Sequence, residues 1–420
     1  MEMINEAVEI AVTTGLLQVQ VFAVDAGDPV PNAQVRITER GSTDTLIELT
    51  TDGSGQAPTV ELNTPPLAYS QAPENPRPYG EYDVYVSAAG FQPVFVEGVQ
   101  ILPDALALQN VTLRPSIVYR RPVEDIYIEQ HTLYGIFPPK IPEEEVKPLP
   151  EGQGLVVLPN VVVPEFIIVH LGAPSDASAQ NVWIPFKDYI KNVASCEIYS
   201  TWPEQTIRAN VLVILSFTLN RVYTEWYRGR GYDFTITNST AYDQAFSYGR
   251  NIFDSISVIV DELFTTFVTR PGIRQPLFTQ YCDGSRVQCP RWLSQWGSKT
   301  LGDQGYDALS ILRYYYGSNV FLMQAERVSG VPQSYPGQAL TLGSTGPAVR
   351  TIQEQLNEIA NNYPAIPKMR VDGAFGEQTR RSVETFQSIF KLPVTGVVDF
   401  ATWYAISNIY VAVERLAELV

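Results

Sequence analysis

Short runs that alternate apolar and polar positions fill the N-terminal part of the chain. Between residues 15 and 116 they read LLQVQVFAV, AQVRIT, YDVYVSAAG and NVTLRP, and turn-rich pieces such as DAGDPVPN, TDGSGQ and NTPP separate them. A period of two places the apolar side chains on one face of a strand, and short strands between turns are typical of all-β domains. The pattern predicts an antiparallel β-sandwich over residues 1–116.

A helical period replaces the alternation in the middle of the chain. Phe186, Ile190 and Val193 are spaced as one face of a helix, and Pro185 suits its first turn. The next step of four reaches Glu197. A carboxyl that is buried on such a stripe is disfavoured in its charged form, as a general acid working near neutrality requires. The alternative is a solvated carboxylate at the helix end, or one paired with an arginine for structural reasons.

Two further helices and a strand complete the central region. Thr201 and Glu204 have the spacing of a capping box, which predicts a helix from there to about Trp226. Its apolar run is too short for a membrane span, so a buried core helix is expected. A third helix is predicted over 251–267, and EFIIVHLG, which contains His170, predicts a half-buried strand. Residues 155–326 are therefore expected to form an α+β domain.

Two regions flank this domain. Residues 117–154 contain PPKIPEEEVKPLPEG, which is rich in Pro and Glu and typical of a linker, although its aromatic side chains would let it pack against a neighbour. Residues 338–420 carry one apolar helical stripe from Val349 to Ile359 and another from Val383 to Phe390. The predicted fold class is multidomain, with an N-terminal β-sandwich, a central α+β domain and a C-terminal three-helix bundle.

Composition restricts the partners. The 420-residue chain has a formal net charge of -16 and a pI near 4.7. Nucleic acids and anionic membranes favour basic surfaces, so neither is expected as a partner. The N-terminus MEMINEAVEIAVTTG lacks a charged-then-apolar signal pattern, which predicts synthesis in the cytoplasm without Sec-type export.

The cysteines are few. The chain has three, Cys196, Cys282 and Cys289, which is too few for a disulfide scaffold and fits the reducing cytosol. Cys282 and Cys289 are close in sequence, but zinc would need two further ligands, and neither Cys-x-x-Cys nor paired histidines accompany them. We therefore expect no metal and no cofactor.

Two stretches of the central domain resemble a known enzyme family. ASCEIYSTWPEQTIRANVLVILSFTLN and SQWGSKTLGDQGYDALSILRYYYG resemble signatures of the SpoIID-type peptidoglycan lytic transglycosylases. The resemblance implies that Glu197 is the catalytic acid and base. The chain departs from the family at Leu215, Ser216 and Phe217, where an Arg and then a Thr-Tyr are usual. Its Gly-rich segment is also reduced to QYCDGSRVQCPRWL.

The substrate-binding candidates come from the same stretches and from one polar segment. GRGYDFTITNSTAYDQAF mixes aromatic and polar side chains, which suits the apolar faces and hydroxyl edges of sugar rings, although an ordinary loop is the alternative. The candidate residues are Trp202, Tyr242, Gln244, Ser294, Gln295 and Trp296.

The two ends of the chain also resemble known modules. The PVPNAQV turn, TDGSGQ and YDVYVSAAGFQP resemble the carboxypeptidase regulatory-like (transthyretin-like) domain, which implies a spacer or a surface for self-assembly or a partner protein. Leu-Gly-Ser-x-Gly, Val-Asp-Gly-x-Phe-Gly-x-x-Thr and Thr-Gly-x-Val-Asp resemble the peptidoglycan-binding domain type 1. Within that motif Asp372, Gly373, Phe375, Gly376 and Thr379 are expected to form the turn and cap that hold the bundle.

One hypothesis and one rival follow. The hypothesis is a peptidoglycan-remodelling protein that cleaves wall or spore-cortex glycan strands as a lytic transglycosylase and is anchored by its C-terminal module. The rival is a catalytically inactive structural or adhesive protein that binds the wall or a spore surface. Without an export signal, the protein would be deposited on the spore from within or released to reach the wall.

Overall fold

The structure is a computed structural model that describes residues 13–23, 28–116, 123–148, 160–329 and 335–413. The N-terminal residues on which the missing export signal was argued, both ends of the predicted linker and the first residues of the predicted central domain lie outside these ranges. The described chain forms an N-terminal strand-rich region, a central α+β region and C-terminal helices. None of its helices has the length and apolar character needed to cross a lipid bilayer.

The N-terminal region consists of strands whose inward side chains are apolar. Val19, Val84 and Val96 are buried between the sheets, as the alternation predicts. The strands are β1 Thr13–Ala23, β2 Gln34–Glu39, β3 Thr45–Thr50, β4 Val60–Thr64, β5 Gly80–Ser87, β6 Val94–Ile101, β7 Leu106–Leu113 and β8 Glu124–Tyr127.

These strands form two sheets that pack on each other. One has the order β3-β2-β5-β6-β8, and the other contains β7, β1 and β4. The pair β1–β7 is parallel, so the prediction of a purely antiparallel sandwich is wrong there. The pair β6–β8 is also parallel, and β8 lies in the segment predicted to be a linker. Between β1 and β7 the chain forms β2 and β3 of the other sheet, β4 of the same sheet, and then β5 and β6 of the other sheet, and it enters β7 in the direction in which β1 runs.

The central region is built around one buried helix, α2, against which α1, α3, α4, α5 and β14 pack. The prediction that this helix lies in the core is confirmed. The elements are β9 Val162–Val163, β10 Phe166–His170, β11 Asn181–Pro185, α1 Phe186–Glu197, α2 Glu204–Tyr223, β12 Ile236–Thr237, β13 Ile252–Phe253, α3 Asp254–Leu263, β14 Thr266–Thr269, β15 Tyr281–Cys282, β16 Leu293–Ser294, α4 Gln295–Asp303, α5 Ala308–Tyr316, β17 Phe321–Gln324 and β18 Arg327–Val328.

Two helix boundaries differ from the sequence prediction. The predicted capping box is wrong, because no side chain caps α2 and the Thr201 hydroxyl instead lies 2.7 Å from the hydroxyl of Ser70 in the N-terminal region. The third helix is shorter than predicted, since α3 ends at Leu263 and Phe267 lies in strand β14. All four residues of β14 are buried, so the apolar spacing of the helix continues into the strand.

The C-terminal region consists of α6 Pro347–Asn362, α7 Glu377–Ile389 and α8 Phe400–Val413. α6 packs against both other helices. The Gln353 amide donates to Asp372 Oδ1 at 3.1 Å and to Thr379 Oγ1 at 3.1 Å, and its Oε1 accepts from the Gly373 amide at 2.8 Å. These contacts fit the expectation that Asp372, Gly373 and Thr379 form the turn and cap of the bundle.

The segment predicted to be a linker is folded where the structure describes it, at residues 123–148. Its strand β8 extends the N-terminal sheet, and the segment continues across the central region. His131 and Lys147 are both buried. Their burial means that this segment is part of the packed structure and not a free tether.

Candidate active site around Glu197

Glu197 is the last residue of α1, and its side chain is only 3% exposed. The apolar stripe that precedes it, Phe186, Ile190 and Val193, is buried as the spacing predicts. The helix ends there because Ile198 adopts an extended backbone with φ of -139°. The carboxyl is therefore held inside the central region at a fixed helix end.

Three neutral donors contact the Glu197 carboxylate. The Ala245 amide donates to Oε1 at 2.9 Å, and the Tyr281 hydroxyl donates to the same oxygen at 3.0 Å. The Gln295 amide donates to Oε2 at 3.1 Å and also to the Glu197 backbone carbonyl at 2.9 Å. The donors come from three separate segments, so the fold as a whole fixes the orientation of the carboxyl.

Strand pairing brings Tyr281 and Gln295 to the same place. β15 and β16 are parallel, with Tyr281 opposite Leu293, and α4 begins directly after β16. Ser294 caps α4 by accepting a hydrogen bond from the Gly297 amide at 2.9 Å. Burial and the neighbouring negative charge of Glu197 raise the pKa of Tyr281 well above its ordinary value, so its hydroxyl remains a donor.

Gln244 lies next to the residue that donates to Glu197, but its amide is engaged elsewhere. Its Oε1 accepts from Thr218 at 2.8 Å and from the Tyr189 hydroxyl at 3.2 Å. These bonds tie the loop to α2 and α1. Gln244 thus positions the Ala245 amide. Gln244 itself is fully buried and does not line an open groove.

Asp243 fixes the same loop from its other side. Its carboxylate accepts from Arg221 Nε at 2.7 Å, from the Tyr227 hydroxyl at 2.7 Å and from the Thr237 amide at 2.9 Å. Asp243 and Arg221 are both buried. A buried ion pair with its remaining oxygens satisfied is costly to disrupt, so this loop is a rigid support for Ala245.

The three aromatic candidates lie apart from the carboxylate contacts. Trp202 is buried and donates its indole N–H to the Ser70 carbonyl at 2.9 Å, and its ring centroid is 5.0 Å from that of Trp296. Tyr242 is half-buried, and its backbone carbonyl accepts from Arg221 at 3.1 Å. The structure therefore brings Gln295 to Glu197 directly and Gln244 indirectly, whereas Trp202 and Trp296 form an aromatic cluster at the junction with the N-terminal region.

Besides Ala245, which contributes its backbone amide, sequence reasoning missed two residues of this site. Tyr281 lies in the segment that looked like a reduced loop, and Lys140 lies in the predicted linker. The Lys140 ammonium is 4.6 Å from the centroid of the Tyr281 ring. Burial lowers the pKa of Lys140, and attraction to Glu197 and Asp243 opposes that shift in part. The sequence gives no signal for either residue, because both reach Glu197 through tertiary packing alone.

A cavity of about 190 Å³ lies close to the site: Cys196, which precedes Glu197, and Ala245, whose amide donates to Glu197, line it, and Glu197 itself does not. Its wall combines aromatic rings with hydroxyl and amide groups, the mixture that suits a sugar ring. One part comes from the segment 123–148 and the rest from the central region. The lining residues are Glu129, Gln130, Phe137, Pro138, Cys196, Asn238, Ser239, Thr240, Ala245, Phe246, Ser247 and Arg250.

The oxidation state of two cysteines differs from the expectation drawn from the number of cysteines in the chain. Cys282 and Cys289 are joined by a disulfide, while Cys196 is free and buried. The reading of all three as thiols of a reducing compartment is therefore wrong for this pair, because a lone disulfide can close one short loop without forming a scaffold. In the described part of the chain no three His, Cys, Asp or Glu side chains are grouped so that they could hold a metal ion. The absence of a metal stays a prediction.

Comparison with solved structures finds only low similarity. Catechol 1,2-dioxygenase from Acinetobacter sp. ADP1 shares 17% identity with a TM-score of 0.18, and the match covers 29% of this chain and 60% of that one. The TIE protein of Bacillus anthracis shares 13% identity with a TM-score of 0.18, and the match covers 24% of this chain and 17% of that one. 3-Chlorocatechol 1,2-dioxygenase of Rhodococcus opacus 1CP shares 14% identity with a TM-score of 0.18, and the match covers 28% of this chain and 64% of that one. This chain thus spans less than two thirds of each structure, and such scores assign neither its fold nor its function.

Comparison with families is more informative for one end of the chain. No curated protein matches the sequence. Residues 345–406 match the family described as "Putative peptidoglycan binding domain", and the match covers all of α6 and α7 and part of α8. The match supports the resemblance seen in the C-terminal motifs, and it implies that the protein associates with the peptidoglycan of a cell wall.

Proposed function

We propose that the protein cleaves the glycan strands of peptidoglycan as a lytic transglycosylase, with Glu197 as its acid and base. The observation that carries the proposal is the Glu197 carboxyl, which is buried at a helix end and oriented by Ala245, Tyr281 and Gln295. A general acid or base needs a fixed orientation toward the proton it transfers. The resemblance to the SpoIID-type enzymes supports the same residue, and the C-terminal module supports peptidoglycan as the substrate.

The reaction needs one carboxyl that acts twice. Protonated Glu197 first donates its proton to the leaving oxygen of the bond after a muramic acid, and the carboxylate then takes a proton from the 6-hydroxyl of that sugar. The 6-oxygen bonds to the anomeric carbon as the glycosidic bond breaks, which gives a 1,6-anhydro end. No water is consumed, and Glu197 is protonated again when the reaction ends.

The neighbouring carboxylates favour this route over hydrolysis. Hydrolases of either stereochemistry use a second carboxyl flanking the same bond, to activate water or to attack the sugar. Asp243 is committed to Arg221, Tyr227 and Thr237. Asp233 accepts a hydrogen bond from Asn181 at 2.9 Å instead. The candidates that folding could have brought to Glu197 are therefore used elsewhere.

A second candidate function is a catalytically inactive wall-binding or spore-surface protein. The 3% exposure of Glu197 favours it, because a substrate cannot reach a carboxyl that is covered. In that case Glu197 would tie α1 to α4, and the N-terminal sandwich would serve self-assembly or a partner protein. Deposition on the spore and release to the wall remain proposals for either function.

The test is cleavage of purified peptidoglycan, with the products identified by mass spectrometry. We expect 1,6-anhydro ends, and we expect Glu197→Gln to slow cleavage at least about a hundredfold while binding is kept, because it preserves shape but removes the titrating group. Glu204→Gln is the matched control, since Glu204 pairs with Arg208 on the surface. Ends that have gained water would mean hydrolysis. Full activity of Glu197→Gln would exclude this residue, and no activity of the unmodified protein would favour the inactive function.

A further inference from the structure

Residues 134–141 cross the site between two fixed attachments, and we call them the strap. The first attachment precedes the strap. His131 is buried, its ring centroid is 4.3 Å from that of Tyr199, and its Nε2 lies 3.2 Å from the Ile198 carbonyl. Thr132 donates to the Cys196 carbonyl from both its amide and its hydroxyl, at 3.0 Å each. These bonds contact the chain immediately before and after Glu197.

The second attachment follows the strap and is stronger. Glu143 receives two hydrogen bonds from buried Arg221, at 2.7 and 3.0 Å. Its amide also donates to Gln280 at 2.8 Å. Lys147 lies 2.8 Å from Glu143 and packs its ammonium 4.0 Å from the centroid of the Phe278 ring. A buried ion pair between these residues keeps this end in place whenever the strap moves.

The strap itself is held lightly. Ile136 is 96% exposed and Ile141 is 45% exposed, so these apolar side chains contribute little burial. Pro138 and Pro139 have no amide to donate. The hydrogen bonds of the strap lie toward its ends: Arg286 donates to the Gly135 carbonyl at 2.8 Å, the Ile141 amide donates to the Ala241 carbonyl at 2.7 Å, and the Gln280 side-chain amide donates to the Ile141 carbonyl at 2.7 Å. A segment with few buried apolar contacts opens at low cost.

Lys140 connects the strap to the catalytic carboxyl. Its ammonium donates to the Thr240 carbonyl at 3.4 Å and to the Asp243 carbonyl, on the loop that leads to Ala245. It also lies over the ring of Tyr281, whose hydroxyl donates to Glu197. The closed strap thus contacts the two segments that hold Oε1 of Glu197, and it supplies a positive charge near that carboxylate.

We propose that the strap is an autoinhibitory lid, which covers Glu197 in the closed protein and lifts between its two attachments to admit a glycan strand. This inference rests on the proposed lytic function. It explains how a carboxyl suited to acid and base chemistry is buried in the closed protein. Phe137 and Pro138 of the strap line one side of the cavity close to Glu197, so lifting the strap would open that cavity into a groove.

Cys196 provides a reporter of opening that does not depend on catalysis. It is the free cysteine, it is buried, and it lines the cavity to which the strap contributes Phe137 and Pro138. The double variant Lys140→Ala/Arg286→Ala removes side chains that hold the strap and leaves both attachments intact. We expect thiol labelling of Cys196 under native conditions to become about tenfold faster, because two hydrogen-bonding side chains are lost. Arg208→Ala is the control, since Arg208 pairs with Glu204 and Glu262 away from the strap.

A locked strap gives the opposite result. The Ile141→Cys/Ala241→Cys variant joins positions whose backbones are already bonded. We expect cleavage to be lost when this pair is oxidised and restored by reductant, while pelleting with wall is unchanged. Wild-type protein treated with the same reductant controls for reduction of the Cys282–Cys289 bond. Full cleavage by the locked form would overturn the lid, as would Cys196 labelling that stays at the wild-type rate in the loosened variant. Faster labelling without cleavage by any form would support the opening and overturn the lytic function.

Discussion

Two buried glutamines show how single side chains fix the C-terminal bundle. Gln353 bonds to the turn after α6 and to Thr379. Gln387 repeats this arrangement one helix later: its amide donates to the Val397 carbonyl at 2.9 Å and to Thr402 at 3.1 Å, and its Oε1 accepts from the Gly396 amide at 2.9 Å. Each amide satisfies backbone groups that a tight turn leaves unpaired, which is why a polar side chain is retained in this small core.

The first prediction concerns Gln353. Gln353→Ala should lower the free energy of unfolding by at least about 2 kcal/mol more than Gln355→Ala, because it leaves several buried donors and acceptors unpaired. Gln355 is a matched control in the same helix, since it is also buried but its Oε1 has no hydrogen-bond partner in the described structure. Urea denaturation of the two variants measures the difference. Equal losses would mean that packing, and not hydrogen bonding, explains the retained glutamine.

Prediction from sequence succeeded for residues that belong to a periodic pattern or a motif. Glu197 was predicted from the next step of an apolar stripe and Gln295 from the Ser-Gln-Trp-Gly motif, and the structure brings the two side chains into contact. Tyr281 and Lys140 belong to neither kind of signal. They reach Glu197 because β15 pairs with β16 and because residues 123–148 fold across the domain. Such contacts depend on tertiary pairing over long sequence separations, which a local pattern does not encode.

At the scale of the helices and strands, the predictions were wrong where the same sequence pattern fits two different structural arrangements. Helical spacing of apolar residues continued past Leu263 because the following strand β14 is buried on both faces. The Thr201–Glu204 spacing matched a capping box, but the Thr201 hydroxyl is hydrogen-bonded to the Ser70 hydroxyl of the N-terminal region. The parallel β1–β7 pair depends on the chain topology, and the alternation of apolar and polar residues does not predict the relative direction of paired strands. In these three cases another part of the molecule decides where the element ends or what it pairs with.

The second attachment of the strap gives a pH prediction at this scale. Burial lowers the pKa of Lys147 to about 8, although Glu143 opposes the shift. The unfolded chain, with an ordinary lysine pKa near 10.4, then binds more protons between about pH 8 and pH 10, so this residue makes stability rise with pH there. Relative to Lys147→Met and Lys147→Arg, which do not titrate in this range, the wild-type free energy of unfolding should rise by about 2 kcal/mol from pH 7 to pH 9.5.

Denaturation midpoints at several pH values measure this difference. Both variants are useful, because Met removes the charge and Arg keeps it at every pH of the series. A wild-type advantage that stayed constant or fell with pH would mean that Lys147 is not held in an environment that disfavours its charge.

At the scale of the whole molecule, the regions are joined by specific contacts. β13 of the central region pairs with β7 of the N-terminal sheet, and the Asn251 side chain bonds to the backbone of Gln100. The C-terminal helices contact the central region through Phe264, whose ring centroid is 5.5 Å from that of Phe400 and 5.2 Å from that of Tyr404. The wall-binding module is therefore docked beside the domain that holds Glu197, instead of hanging from it on a free tether.

The last prediction concerns a chain that ends at Gln338 and therefore lacks the C-terminal module. Binding of peptidoglycan by the module raises the local concentration of glycan at the central domain, a gain of up to roughly 10² to 10⁴ in avidity when two sites act together. The shortened chain should pellet much less with insoluble wall while it still cleaves short soluble glycan. Because Phe264 loses its partners, thermal denaturation must first establish that the shortened chain is folded, and Phe264→Ser in the full chain controls for this loss. If the shortened chain pelleted as well as the full one, wall binding would lie outside the C-terminal helices, and the central domain or the sandwich would be the anchor.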